Sequence, residues 1–194
     1  MVGSVFDDVD VTPLARRTVL AAAVLLLLCP HSFGQAADFS GLNDIATIAA
    51  HGKTDELIRI LQSGRQPDVP DGKGETALHY AAQLGDQRMV NALLYYKAAV
   101  DPRDQFGNTP LHWAAQRGDL AILHMLIDAK AAIDPQNRQG VTPLMMAAKA
   151  GQTQAVRLLL KDGADSHRAD FTGRDAAGWA NGKTAIVQML RAAK

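Results

Sequence analysis

From residue 89 onward, apolar residues recur in short stripes that predict a series of amphipathic helices. Within each stripe the spacing is i, i+3 and i+4, which places the side chains on one face of a helix. Polar segments rich in Asp, Asn and Pro separate the stripes, as expected for turns. The three stripes are Met89, Val90, Leu93 and Leu94; Ile122, Leu123, Leu126 and Ile127; and Val156, Leu159 and Leu160.

The segments before these stripes repeat with a period of 33 residues, which is the step between Gly74, Gly107, Gly140 and Gly173. Three aligned copies read GETALHYAAQLGD, GNTPLHWAAQRGD and GVTPLMMAAKAGQ. A fixed period of this length predicts an array in which each unit stacks on its neighbours.

Each copy carries the signals for one helix. A threonine is the predicted N-cap, and proline follows at the first helical position in two copies. His79 and His112 stand three residues after the cap, where a side chain can bond back to it. A glycine in each copy then predicts a left-handed stop. The caps are Thr76, Thr109 and Thr142, and the stops are Gly85, Gly118 and Gly151.

These residues resemble the ankyrin repeat, with its G-x-T-P-L-H-x-A-A signature. The resemblance covers residues 40–194 and implies an all-α solenoid of helix-turn-helix pairs with β-hairpin-like finger turns. It gives five repeats, 40–70, 71–103, 104–136, 137–169 and 170–194, of which the first and last are degenerate caps. In the last, Asp175 replaces the threonine and the first helix is about two residues short. Lys97 and Lys130 replace the glycine that ends the second helix, which predicts a local loss of stability.

The N-terminus has the pattern of a signal peptide, predicted to span residues 1–36. Arg16 and Arg17 precede the apolar run 19–29, and small residues at Gly34 and Ala36 favour cleavage after Ala36. The expected mature domain is then 37–194, periplasmic or secreted. The alternative is that the run stays uncleaved and anchors an ankyrin adaptor in a membrane. General secretion and twin-arginine export both remain open.

Charge and cysteine content exclude several classes of function and site. The 194 residues carry 20 basic and 20 acidic side chains; removing Arg16, Arg17, Asp7, Asp8 and Asp10 with the leader leaves 18 and 17. A balance this close to neutral argues against nucleic-acid binding. Cys29 is the single cysteine, so neither an intramolecular disulfide nor a thiolate zinc site is available.

No motif for catalysis emerges from the sequence. The histidines form no metal-ligand spacing, and no serine lies in a G-x-S-x-G elbow. Four residues form a ladder of acidic or amide side chains whose expected role is to bind turn amides: Asp71, Asp104, Asn137 and Asp170. We therefore predict no enzyme activity, no cofactor and no metal. A small ligand binder or enzyme that uses the groove is kept as an alternative.

The expected function is protein–protein interaction by a monomer, without nucleic acid and without a membrane after signal cleavage. The ankyrin resemblance implies that finger turns and first helices line a concave binding face. On that face the predicted hot spot is Phe106, Arg117, Arg138 and Phe171, with Lys73, Gln105, Gln139 and Arg174 around it. Alternatively, each phenylalanine folds back on the neighbouring finger. Tyr80, Trp113, Met146 and Trp179 share a repeat position where packing is favoured over ligand contact. The identity of the partner stays open.

Overall fold

The computed structural model describes residues 44–193, so the predicted leader 1–36 and the start of the domain at 37 lie outside the described residues. Ten helices occupy the described part and form five consecutive pairs. They are α1 (Ile45–Ala50), α2 (Thr54–Gln62), α3 (Ala77–Leu84), α4 (Gln87–Tyr95), α5 (Pro110–Arg117), α6 (Leu120–Asp128), α7 (Pro143–Ala150), α8 (Thr153–Lys161), α9 (Ala176–Trp179) and α10 (Thr184–Ala192). Across residues 44–193 no helix is both long and apolar enough to cross a membrane.

The pairs stack into two rows of helices with a continuous core between them. The first helices of successive pairs pack on one another, from α1 through α9, and the second helices form the other row. Leu111 and Leu144 from the first row and Leu126 and Leu159 from the second are all fully buried. The structure confirms the predicted all-α repeat solenoid.

The predicted helix ends are also confirmed. Helices α5 and α7 begin at Pro110 and Pro143, each directly after its threonine cap. The glycines at 85, 118 and 151 adopt φ values of 77°, 78° and 83°. These left-handed values explain why glycine is favoured at each stop, since a Cβ there is disfavoured.

Each finger is a tight turn organised by one side chain. Asp104 Oδ1 accepts from the N–H groups of Phe106 and Asn108, both at 2.8 Å. The same pattern recurs at Asp71, Asn137 and Asp170, which confirms the predicted role of this ladder. Neighbouring fingers are joined by single backbone hydrogen bonds, and no strand is assigned between residues 44 and 193.

The two end repeats are degenerate, as the sequence predicts, but the first helix of the last repeat is four residues shorter than α3, α5 and α7, where about two were predicted. Helix α9 has only four residues, and Asp175 caps it by accepting from the Gly178 N–H at 2.8 Å. The first repeat contributes α1 and α2, with Leu57 and Leu61 buried against the next pair.

Two lysines take a backbone conformation that costs stability. Lys97 and Lys130 follow α4 and α6 with φ values of 63° and 70°, where Gly64 and Gly163 stand in other repeats. An L-residue in this region costs about 1–2 kcal/mol, part of which glycine returns through its freer unfolded state. We expect K97G and K130G each to raise the free energy of unfolding by about 0.5–1 kcal/mol, measured by urea denaturation.

The matched control for these variants is K161G, which places the same change at a helical position at the end of α8. It should lower the free energy of unfolding by up to about 1 kcal/mol, because glycine is a poor helix former. A loss of stability in all three variants would contradict the strain assigned to Lys97 and Lys130.

Candidate functional site

An open groove of about 470 Å³ lies along the first helices and fingers of the last three repeats. Finger turns supply one wall, and α5, α7 and α9 supply the other. The lining residues are Phe106, Asn108, Gln116, Asn137, Arg138, Gln139, Val141, Met146, Lys149, Ala150 and Trp179.

Hydrogen bonds between neighbouring fingers fix the wall on that side. The Arg138 N–H donates to the Phe106 carbonyl at 2.9 Å, and the Phe171 N–H donates to the Gln139 carbonyl at 3.1 Å. Deeper in the groove, the Asn137 side-chain amide donates to Asn108 Oδ1 at 2.8 Å. The positions of Phe106 and Arg138 are thus set by backbone bonds, while their side chains remain exposed.

Trp179 is held at the far end of the groove. Its indole N–H donates to Asp170 Oδ2 at 2.9 Å. Lys149 Nζ lies 4.8 Å and Arg174 Cζ 4.4 Å from the ring centroid, within the range of cation–π attraction. The ring therefore presents a fixed, half-buried apolar surface beside a lysine.

The charged side chains that line the groove are both cationic, Arg138 and Lys149. Two carboxylates of the finger turns, Asp104 and Asp170, are buried and bind finger amides. Hydrogen bonding from Thr172 and from the backbone lowers the pKa of Asp170, which keeps that carboxylate ionised and occupied.

Arg138 differs from most other arginines of the described region. Arg103, Arg117 and Arg168 donate to backbone carbonyls, and Arg88 and Arg174 pair with carboxylates. Among residues 44–193, no hydrogen bond or ion pair engages the Arg138 guanidinium. Arg138 is therefore a cation at the groove that has no partner within the described residues.

Three of the eight predicted binding residues line the groove: Phe106, Arg138 and Gln139. Phe106 is 59% exposed and Phe171 is 72% exposed, so both phenylalanines are solvent-facing as expected. The two rings then differ, because Phe171 lies across Gly140 of the neighbouring finger, whereas Phe106 borders the groove. Lys73, Gln105 and Arg174 are exposed and lie outside the lining, although Arg174 stacks on the Trp179 ring.

Arg117 has a structural contact that the sequence did not reveal. Its guanidinium covers Gly85 and donates to the Gln83 carbonyl at 3.2 Å. Gln152 covers Gly118 and Lys183 covers Gly151 in the same way, each donating to the end of the preceding first helix. The predicted binding role of Arg117 stays a prediction, with this contact beside it.

Sequence reasoning missed Met146 and Trp179 as groove residues. All four residues at that repeat position pack against the core, which confirms the packing interpretation. Met146 and Trp179 also line the groove because they are only partly buried. The available signal was their shared position with Tyr80 and Trp113, one turn into the first helix.

The ionisable groups whose pKa values are clearly shifted lie outside this lining. Within the described region they are Asp71, His79, Tyr80, His112, Asp134 and Asp170. Within residues 44–193, no three His, Cys, Asp or Glu side chains cluster in a way that could hold a metal ion. The groove thus offers binding chemistry, namely cations, amides and apolar surface.

His79 and His112 link successive repeats. His112 Nδ1 accepts from the Thr109 N–H at 3.0 Å, which confirms the predicted capping role. Its Nε2 then donates to the Val141 carbonyl at 3.0 Å, one repeat further on. His79 does the same between Thr76 and Asn108. These bonds require the neutral Nε2–H tautomer, because Nδ1 must accept.

Burial lowers the pKa of His112 from 6.5 to about 4 and also lowers the pKa of His79. The unfolded chain therefore binds protons at these two histidines more readily than the native state does. The stabilisation that neutral His112 provides is complete above pH 6.5 and declines as the pH falls towards 4, and His79 acts in the same direction. For His112 we expect a loss of up to about 3 kcal/mol, measured by urea denaturation across this range.

The control is H112Q, which keeps a side-chain acceptor for the cap but does not titrate. Its stability should fall less steeply between pH 6.5 and 4 than that of the wild type. Parallel pH profiles would contradict the neutral-histidine bridge.

Comparison with known proteins identifies the family. A family profile described as "Ankyrin repeats (3 copies)" matches residues 45–138 and 118–194. No significant match was found among curated proteins. The profile matches cover most of the chain and coincide with the five helix pairs and their fingers. The protein therefore belongs to the ankyrin repeat family.

Proposed function

We propose that this protein is an exported, non-catalytic interaction module that binds a protein partner through its finger turns and concave groove. Ankyrin repeats are generally protein-interaction modules, and the family is generally non-catalytic. The groove over the last three repeats is the proposed contact surface, with the outer row of second helices facing away from it.

The observation that carries this proposal is the exposure of Phe106 beside an unpartnered arginine. An aromatic ring that is 59% exposed contributes little to the core of the repeat stack. Aromatic and arginine side chains are, however, the residues that most often dominate the energy of protein interfaces. Phe106 and Arg138 lie together at the groove on bonded fingers, a rigid arrangement suited to recognition.

The chemistry of the groove supports a non-catalytic role. General acid–base catalysis needs titratable groups with tuned pKa values that converge on a substrate. The shifted groups of the described region instead have evident structural partners, as with Tyr80, whose hydroxyl donates to Asp71 at 2.6 Å. Burial and this bond raise the pKa of Tyr80, so it stays protonated.

The test places a photo-crosslinking amino acid at Phe106 in the native host, with Leu120 as the control site. Leu120 is 37% exposed on α6, in the outer row. We expect a discrete crosslinked protein from position 106 only, identified by mass spectrometry. F106A should abolish binding of that protein without lowering thermal stability. Equal crosslinking from both positions, or retained binding by F106A, would overturn the assigned face.

Export rests on the signal-peptide pattern before Ala37, which lies outside the described residues. Arg16 and Arg17, the apolar run 19–29 and the small residues at 34 and 36 support it. N-terminal sequencing of the protein from the periplasm or medium is expected to begin at Ala37. An intact N-terminus in the membrane fraction would favour the anchored adaptor instead.

A further inference from the structure

We infer that the groove between Phe106 and Trp179 takes an extended acidic segment of the partner that also carries a large apolar side chain. This inference rests on the proposed function and adds the chemistry of the partner. It combines the charge, the apolar surface and the amides that line the groove.

Charge complementarity favours an acidic ligand. Arg138 and Lys149 are the charged residues of the lining, and the finger carboxylates Asp104 and Asp170 are already bound to finger amides. Lys149 contacts the Trp179 ring but makes no ion pair within residues 44–193. A ligand carboxylate can therefore pair with either cation without displacing an internal carboxylate. A basic ligand would meet two uncompensated like charges.

The apolar surface favours an aromatic or large aliphatic anchor. Phe106, Val141, Met146 and Trp179 all contribute to the lining of one groove. Its volume of about 470 Å³ exceeds that of a single side chain, so an anchor and the adjoining backbone fit together. An apolar side chain inserted here would remove the exposed part of Phe106 from water.

The amide side chains favour a peptide main chain over a nucleic acid. Gln116 and Gln139 line the groove, and no side-chain hydrogen bond occupies either amide within the described residues. Each presents a donor and an acceptor, which matches the alternating groups of an extended main chain. A polyanion would instead need a longer stripe of cations than Arg138 and Lys149 provide.

The experiment selects binders to the purified mature protein from a phage-displayed library of random peptides. We expect enrichment of sequences that combine Asp or Glu with Phe, Tyr, Trp, Leu or Ile. For a synthetic peptide from that pool, R138E and K149E should each weaken binding by about tenfold or more, and added salt should weaken it further. R138Q and K149Q should give smaller losses in the same direction, and they serve where a charge reversal disturbs folding.

The matched controls are R157E and K161E on α8, where both cations are exposed in the outer row. They carry the same charge change and should leave the affinity within about twofold. A second selection against R138E/K149E should enrich Lys or Arg in place of the acidic residues. That reversal would show that the charge preference belongs to these two positions.

Any of four results would overturn the inference. These are an empty selection, enriched peptides without acidic residues, equal losses in the α8 controls, and tighter binding of a labelled single-stranded oligonucleotide than of any selected peptide. If position 106 still crosslinks a discrete protein in the native host and F106A still abolishes binding of that protein, the proposed function survives and only the ligand chemistry fails. If both experiments fail, the assigned face is wrong.

Discussion

Alanine at His112 is expected to lower the free energy of unfolding by about 4 kcal/mol. The side chain is fully buried, so truncation leaves a cavity close to that of a large-to-small core change. It also removes the acceptor of the Thr109 N–H, which is itself buried. The Val141 carbonyl loses only one of its two hydrogen bonds, because it still accepts from the Asn137 N–H.

Urea denaturation of H112A beside H124A is the measurement. His124 is exposed on α6, so H124A should change stability by less than about 0.5 kcal/mol. H112Q should fall between the two, since it restores an acceptor for the cap. If H112A is as stable as H124A, the histidine bridge contributes nothing to the stack.

The substitution G140A is expected to cost a similar amount, about 4 kcal/mol, for a different reason. Gly140 has φ of 79°, where an alanine is strained. A Cβ at this position would also lie 2.7 Å from the Phe171 backbone nitrogen. Since that nitrogen donates to the Gln139 carbonyl, relief of the clash must break the bond between two fingers.

G173A separates the two contributions. Gly173 has φ of 83°, but no atom lies within 4 Å of the Cβ that an alanine would add, so its variant has the strain without the clash. We expect G173A to lose only about 1–2 kcal/mol in the same denaturation assay. Equal losses at the two glycines would mean that the close approach of the fingers costs nothing to disturb.

The sequence predicted most of the fold because its signals are local. Thr109, Pro110 and Gly118 each act on the chain within a few residues, and the 33-residue period repeats those signals. The links between repeats were not predicted. Whether His112 Nε2 reaches Val141 depends on the spacing of stacked helices, which no single repeat encodes. The side chains that lie over Gly85, Gly118 and Gly151 are of three different types, so no sequence pattern indicates these contacts.

The candidate site was predicted only in part, for a related reason. Phe106, Arg138 and Gln139 sit on fingers, where position in the repeat fixes exposure. Trp179 belongs to a shortened helix, and its part in the groove depends on contacts with Lys149 and Asp170 from two other segments. Packing and ligand contact are alternatives at the level of sequence. A half-buried side chain provides both.

Met145 occupies the position where a third histidine would bridge to the last repeat. The junction before the last repeat therefore lacks the histidine side-chain hydrogen bond that links the earlier repeats. The Met145 sulfur accepts weakly from the Thr142 N–H at 3.5 Å, and a thioether has no hydrogen to donate across the junction. The terminal pair, with its four-residue α9, should therefore fray before the rest and exchange its amide hydrogens soonest. Because Trp179 leaves with that pair, the groove loses the apolar surface at its far end when the last repeat opens. Binding in the groove and folding of the last repeat are then linked equilibria. A bound partner therefore also stabilises the folded C-terminal repeat.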